Sequence, residues 1–142
     1  MTRFLVAVLA TLLLAPLGAF ADENDSDTHD GDERVFEMRI YTAAEDRLPD
    51  LMNRFRNHTN YLFVKHGMQL IGYWTPTEGE ESANTLVYIL AHDSREAAKK
   101  SWSGFVADPA WKEAAAESRK NGRLVAKIEN HWLKATDFSP LQ

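Results

Sequence analysis

The sequence predicts an α+β fold with the order β-α-β-β-α-β, the ferredoxin-like arrangement, in which a four-stranded antiparallel sheet carries helices on one face only. Three observations predict it. Alternating residues indicate strands, and apolar residues at helical spacing indicate two helical regions. The polar stretch "TPTEGEESAN" has the length of an extended hairpin loop, which makes the strands on either side of it antiparallel neighbours.

The first strand and the first helical region follow each other closely. The strand, "VFEMRIYT", separates two sets of side chains: Phe36, Met38 and Ile40 on one side, and Glu37, Arg39 and Tyr41 on the other. After it, apolar residues from Leu48 to Phe63 recur at helical spacing, with His58 on the same stripe. We expect one helix of about five turns, ended by Gly67 in a left-handed conformation.

The second half of the chain repeats this organisation. "MQLIGYWTP" and "NTLVYILAH" are the second and third strands, and "RLVAKIENHWLKAT" is the fourth. The helical region before the fourth strand is predicted to be broken in two. Asp93 is expected to cap the first helix, and Asp108, followed by Pro109, is expected to cap the second.

The N-terminus predicts export. Residues 1–21 contain Arg3, an apolar run and the small-x-small sequence that ends at Ala21, as in a cleaved signal peptide. Residues 22–34 form an acidic leader that contains no large apolar side chain, so we expect it to be disordered. The folded domain is 35–142. We therefore expect a secreted or periplasmic protein with no stable membrane insertion after cleavage; the alternative is that the segment is not cleaved and serves as an N-terminal anchor.

Composition excludes several classes of site. The chain has no cysteine, which excludes disulfides, cysteine nucleophiles and thiolate metal sites. From Arg34 onward 15 basic residues stand against 14 acidic ones, and no basic patch concentrates on one element, so we expect no nucleic-acid partner. Neither a G-x-S-x-G nucleophile motif nor a glycine-rich phosphate loop is present.

The face of the sheet that carries no helices is the predicted binding surface. Val87, Ile89 and Ala91 of the third strand are expected to pack under the helices. Burying unpaired charges on this face would be costly, so we expect the charges to pair across strands. We also expect the face to lie against the same face of a second copy, with a partly wet cavity between the two sheets. The residues expected to bind a small molecule there are Glu37, Arg39, Tyr41, Tyr88, Lys127, Glu129 and His131.

Candidate catalytic residues are His131 and Arg39. Histidine changes charge near neutral pH, and arginine can orient a carboxylate or enolate; a plain hydrogen-bonded histidine fits position 131 as well. His92, Glu129 and His131 could converge on a metal, but no spacing requires it, so the sequence predicts no metal and no cofactor.

Several blocks in order resemble the NIPSNAP family: "FEMRIYT", "FRNHTNYLFVKHGMQLIGYW", "LVYILAHDSREAAKKSW", "FVADPAW" and "LKATDFSP". The resemblance covers roughly residues 35–140. It implies the dimeric α/β-barrel fold, hence a homodimer, and implies no settled activity. The wider superfamily contains cofactor-free oxygenases, haem-dependent enzymes and small-molecule degraders. Unlike mitochondrial members, this chain carries a secretory-type leader.

Two functions are considered at this stage, and a third, a scaffold whose barrel is fully occluded, also remains open. The first is an exported dimeric protein that binds a small molecule between its sheets. The alternative is a cofactor-free, oxygenase-like enzyme that acts on a small aromatic or carboxylate substrate.

Overall fold

The computed structural model describes residues 33–142. The elements follow the predicted order, with each helical region divided into parts. They are β1 (Val35–Ala43), α1 (Leu48–Arg54), a π-helical turn (Phe55–Thr59), α2 (Asn60–Lys65), β2 (Gln69–Trp74), a 3₁₀ turn (Glu80–Ala83), β3 (Thr85–His92), α3 (Arg95–Ala107), α4 (Pro109–Glu117) and β4 (Val125–Leu133). None of the helices in this part of the chain is long and apolar enough to cross a membrane.

The strands form one antiparallel sheet in the order β2-β3-β1-β4. β1 pairs with β3 and with β4, and β2 pairs with β3. The helices cover one face, as the sequence predicts. The sheet thus leaves its second face to be covered by something else or by water.

Which face of β1 meets the helices was predicted wrongly. Tyr41 lies edge-on to Phe55 of the π-helical turn, at 5.9 Å between ring centroids, and Glu37 accepts a hydrogen bond from the indole of Trp102 in α3. Glu37, Arg39 and Tyr41 therefore point beneath the helices. The physical reason is that Glu37 and Arg39 neutralise each other and that Trp102 of α3 contacts both, so neither charge is buried alone.

The same correction applies to β3 and leaves β4 as predicted. Arg39 pairs with Tyr88 across the ladder, so Tyr88 also faces the helices, and Val87 and Ile89 face away from them. On β4 the predicted orientation is confirmed, because Ile128 is the cross-strand partner of Tyr41 on the helix side. Lys127, Glu129 and His131 consequently lie on the face opposite the other predicted site residues.

The core lies between the helices and the sheet and is rich in aromatic rings. Tyr88 is fully buried, and its ring lies 5.2 Å from that of Tyr41 and 5.1 Å from that of Phe55. Phe63 joins this cluster to Phe105 at 4.9 Å. Offset and edge-on rings of this kind add stabilisation beyond the apolar area that they bury.

The face that carries no helices, called here the open face, is largely apolar near its centre. Met38, Ile40, Val87 and Ile89 lie on the two central strands and are only partly buried. Near one end the C-terminal segment contributes Leu141, which lines a shallow depression together with Phe36 and Ile89. The guanidinium of Arg34 donates a hydrogen bond to the backbone carbonyl of Gln142, so the two ends of the described chain meet there.

The first helical region is not one continuous α-helix. Its π-helical turn contains an extra residue per turn, which shifts the phase of the helix. As a result Thr59 is buried and His58 is exposed, so the prediction that His58 lies on the apolar stripe is wrong. Gly67 ends the region with φ +80, as predicted.

The caps of α3 and α4 are side-chain hydrogen bonds. Ser94, not Asp93, caps α3, because its hydroxyl accepts from the amide of Ala97 at 3.0 Å. Asp108 caps α4 as predicted, accepting from the amide of Ala110 at 2.9 Å. Its other carboxylate oxygen lies 2.7 Å from the ammonium of Lys65, which ties α4 to α2.

Candidate functional site

A cavity of about 390 Å³ lies between the sheet and the helices. Side chains from β1, β4, the π-helical turn and the four α-helices line it, and Val106 and Ile128, each about half exposed, mark its mouth. Its volume falls within the roughly 300–1,000 Å³ typical of small-molecule sites. The cavity is thus formed within one chain, on the helix side of the sheet.

The π-helical turn gives the cavity part of its wall. Arg54, Phe55 and Thr59, at or beside this turn, all line the cavity. The hydroxyl of Thr59 donates to the carbonyl of Arg54 at 3.3 Å, which satisfies a backbone acceptor in the widened turn. Single π-helical turns inside α-helices are frequent at functional sites.

A buried carboxylate lies beside the cavity. Glu37 has no solvent exposure and accepts three hydrogen bonds. One of its oxygens accepts from Arg39 at 3.0 Å; the other accepts from the indole of Trp102 at 2.7 Å and lies 3.0 Å from Nε2 of His92. Burial alone would raise the pKa of Glu37, but the hydrogen bonds from His92 and Trp102 and the charge of Arg39 outweigh it and hold the pKa below its usual value. Glu37 therefore remains ionised.

Arg39 forms the boundary between this network and the cavity. Its guanidinium lies 4.3 Å from the ring centroid of Trp102 and 5.6 Å from that of Tyr41. Both rings hold it by cation–π attraction, and Glu37 neutralises its charge. Arg39 is thus a rigid part of the wall whose charge is already satisfied by the protein.

Arg54 is different, because it is buried without an acidic partner. It is 8% exposed, and among residues 33–142 no carboxylate lies within 4.0 Å of its guanidinium. Its polar contact is a long hydrogen bond of 3.4 Å to the hydroxyl of Ser118, and its guanidinium lies 5.1 Å from the ring centroid of Trp111. Nε has no hydrogen-bond partner in the described chain. An arginine that is always charged is costly to bury in this way.

The charge of the cavity lining is one-sided. Among residues 33–142, four arginines line it and no acidic side chain does. Arg119 and Arg123 are exposed and donate to backbone carbonyls, of Ala115 and Val125, at 2.8 Å each. Of these four, Arg39 alone has a carboxylate partner within the described part of the chain. The cavity therefore has an electropositive side that the described chain leaves uncompensated.

The structure divides the predicted site residues into two groups. Glu37, Arg39, Tyr41 and Tyr88 lie together on the helix side, and Arg39 and Tyr41 line the cavity itself. Burial raises the pKa of Tyr88 well above the usual value of a tyrosine, so its hydroxyl keeps its proton. The second group, Lys127, Glu129 and His131, lies on the open face, where Lys127 and Glu129 form a surface ion pair of 3.0 Å.

The candidate catalytic pair does not come together. His131 is the cross-strand partner of Met38 on the open face, whereas Arg39 faces the helices. His92 and His131 likewise point to opposite faces, so they do not converge with Glu129. In the part of the chain that the structure describes, no three histidine or acidic side chains are placed to hold a metal ion.

Sequence reasoning missed Arg54 as a cavity residue, although a signal was present. Arg54 follows Leu51 by three residues and precedes Phe55, so it lies on the apolar stripe of the helix. A charged residue on such a stripe is unusual and indicates a buried role. Trp102 and Trp111 both pack on Phe105 of the core.

Comparisons with known proteins agree with this fold. The NIPSNAP family model matches residues 36–140. A solved NIPSNAP family protein of unknown function from Agrobacterium tumefaciens shares 24% identity, over 78% of this chain and 96% of its own, with a TM-score of 0.68. A NIPSNAP-like domain protein from Burkholderia xenovorans shares 21% identity, over 77% of this chain and 90% of its own, with a TM-score of 0.67.

A more distant similarity reaches an enzyme. The cofactor-independent oxygenase SnoaB from Streptomyces nogalater shares 17% identity, over 76% of this chain and 98% of its own, with a TM-score of 0.52. At this identity the similarity concerns the fold alone. Together these structures confirm the predicted α+β fold of the dimeric α/β-barrel type. A comparison with curated proteins gives no match.

Proposed function

Because the chain belongs to the NIPSNAP family, whose fold here encloses a cavity under the helices, we propose that it is a small-molecule-binding protein. The ligand lies between the helices and the sheet of one chain, not between two sheets as the sequence predicted. The observation that carries this proposal is the 390 Å³ cavity with aromatic walls. Aromatic side chains with a few fixed polar groups are the usual lining of ligand pockets.

The open face supports the second part of the proposal, a homodimer. A sheet face whose central strands present Met38, Ile40 and Ile89 to the outside would leave a continuous apolar surface in water. Packing against the same face of a second copy removes that surface from water. The dimer therefore supports the sheet from outside, while the ligand cavity of each chain stays on the helix side.

We further propose that the protein acts outside the cytoplasm, on the basis of its N-terminal sequence. The predicted signal peptide and acidic leader lie almost wholly outside the described residues. If residues 1–21 are removed on export, intact-mass measurement of the exported protein should show a chain that begins at Asp22. Retention of Met1 to Ala21 in the exported protein would contradict this part.

Binding in the cavity can be tested with a blocking substitution at its mouth. We expect Val106→Trp to weaken binding of the neutral dye N-phenyl-1-naphthylamine by about tenfold or more, because the indole would occupy space that the ligand needs. Calorimetry on residues 22–142 measures the affinity and should show one dye per chain. The matched control is Val64→Trp, since Val64 is 58% exposed on α2 and does not line the cavity.

The outcomes separate binding on the helix side from other possibilities. Dye affinity that is equal in Val106→Trp and in the unmodified protein would reject the cavity as the binding site. Dye recovered unchanged from the complex agrees with a binding protein. Oxygen-dependent conversion of an aromatic ligand would instead favour the oxygenase-like alternative.

A further inference from the structure

We propose that the natural ligand of the cavity is an organic anion, a carboxylate carried on an aromatic or apolar body, and that Arg54 is the residue that binds its charge. This inference rests on the proposed binding function and specifies the class of ligand. It is carried by one juxtaposition: a buried arginine with no acidic partner that lines a cavity of ligand size.

Arg54 is a buried cation whose hydrogen-bond donors are largely unused within the described chain. A guanidinium offers five N–H donors in a flat fork and stays charged in proteins. In the described chain only one long contact, to Ser118, uses these donors, and Nε has no partner. Burying a cation in this condition costs stability. A carboxylate in the cavity would supply the missing charge and could accept two parallel hydrogen bonds.

The acidic side chains near Arg54 do not neutralise its charge. Asp50 and Glu117 line a neighbouring, more polar cavity that also reaches Arg54. Both are engaged elsewhere, Asp50 with Arg47 at 2.8 Å and Glu117 in an ion pair with Lys120. Neither approaches Arg54 within salt-bridge distance. Asp50 and Glu117 thus lie near Arg54 without forming an ion pair with it.

Arg39 is a part-buried arginine of the same lining, and its charge is already paired. Glu37 pairs with it at 3.0 Å, and Trp102 covers one face of its guanidinium. An anion that approached Arg39 would meet a charge already neutralised by Glu37. Nε of Arg39 and Nε of Arg54 both lack a hydrogen-bond partner in the described chain, so the difference between the two residues is one of charge. Glu37 neutralises Arg39, whereas no carboxylate of the described residues neutralises Arg54, and Arg54 is therefore the cation that a ligand's carboxylate would pair with.

The aromatic wall beside Arg54 indicates what kind of body the ligand has. Beside Arg54 lies Trp111, whose ring packs on that of Phe105 at 4.4 Å, and both rings line the cavity. Such flat apolar surfaces next to a cation match a molecule whose carboxylate is attached directly to a ring. A free inorganic anion would leave these walls unused, which is why the proposal commits to an organic one.

The test compares a carboxylate with its neutral counterpart of the same shape. We expect 2-naphthoate to displace N-phenyl-1-naphthylamine from the unmodified protein about tenfold better or more than 2-naphthamide does, because hydrogen bonds to a charged carboxylate are stronger than those to an amide. In Arg54→Gln this ratio should fall to about twofold or less. The ratio is informative even if the substitution also alters the cavity, since both compounds would experience that change.

Arg56→Gln is the matched control. It makes the same change of charge two residues away, but Arg56 is exposed, bonds to Asn53 at 2.9 Å and does not line the cavity. Its ratio should equal that of the unmodified protein. The proposal is overturned if the dye binds but naphthoate is no better than naphthamide, if Arg54→Gln keeps the preference, or if Arg56→Gln loses as much of it. Failure of the dye to bind in the cavity would reject the proposed function itself.

Discussion

Replacing Glu37 by alanine should lower the free energy of unfolding by about 3–5 kcal/mol, the cost of removing one partner of a buried ion pair. Glu37 has no solvent exposure, and its loss would leave the guanidinium of Arg39 and the indole N–H of Trp102 without their acceptor. A domain of this size has a total stability of roughly 5–15 kcal/mol, so the effect is a large part of it. Urea unfolding followed by circular dichroism measures the change.

The control for this substitution is Glu117→Ala. Glu117 also forms an ion pair, with Lys120, but both side chains are well exposed. Exposed pairs contribute about 0–1 kcal/mol, so we expect a loss within that range. Losses of similar size in the two variants would show that burial does not set the value of the Glu37 network, contrary to our interpretation.

The same carboxylate predicts a pH dependence with a definite sign. The pKa of Glu37 is lower in the folded protein than its usual value, so the stability that it contributes is complete above the unfolded pKa of about 4.3. It is lost as the pH falls from there through the lower, folded pKa. The difference in unfolding free energy between the unmodified protein and Glu37→Gln should therefore shrink below about pH 4. A difference that stays constant from neutral to acid pH would contradict the lowered pKa.

Ile89→Glu should convert a dimer into a folded monomer, with an increase of about 1,000-fold or more in the dissociation constant of the dimer, or roughly 4 kcal/mol. Ile89 lies on a central strand of the open face, opposite Met38 on β1 and Gly72 on β2. In a dimer formed through this face, its replacement would bury a carboxylate against apolar side chains. Analytical ultracentrifugation at about 10 µM measures the mass, since dimerisation depends on concentration.

Two further measurements make this prediction specific. Val64→Glu introduces the same charge at an exposed valine of α2, away from the open face, and should leave the dimer intact. The Ile89→Glu monomer should still bind the dye in its cavity, because the cavity lies on the other side of the sheet. An unmodified protein that sediments as a monomer, or an Ile89→Glu variant that remains a dimer, would reject the proposed interface.

The order of elements and the alternation of each strand could be predicted from the sequence, since both depend on local patterns. The orientation of β1 could not. Either of its two sets of side chains can be buried. One set is apolar and consists of Phe36, Met38 and Ile40. The other can be buried where other groups pair with its charges, and consists of Glu37, Arg39 and Tyr41. The partners, Trp102 and His92, come from distant parts of the chain. For β4 the local pattern was sufficient, because Lys127 and Glu129 pair with each other at the surface and do not depend on a partner from a distant part of the chain.

The candidate site was predictable only in part, for a related reason. Arg39 and Tyr41 were recognised because a strand alternates with a period of two, which fixes their common face. The spacing from Leu51 indicates that Arg54 is buried, but it does not reveal that a cavity lies beside it, because the π-helical turn that follows Arg54 and forms part of the wall breaks the regular spacing. The cavity itself is a property of how α3 and α4 pack over the sheet, and no local pattern reports the space left between them.

The contact between Arg34 and Gln142 has a practical consequence for work on this protein. Arg34 precedes the start of β1, whereas Val125, which pairs with Ala43 at the far end of that strand, belongs to the cavity lining. Affinity tags, fluorophores or surface tethers fused to the C-terminus would consequently be attached near the start of β1, away from the end of that strand that borders the cavity. Since Leu141 of the same segment lies beside Ile89 on the open face, such attachments should be made through a flexible linker that leaves this face accessible.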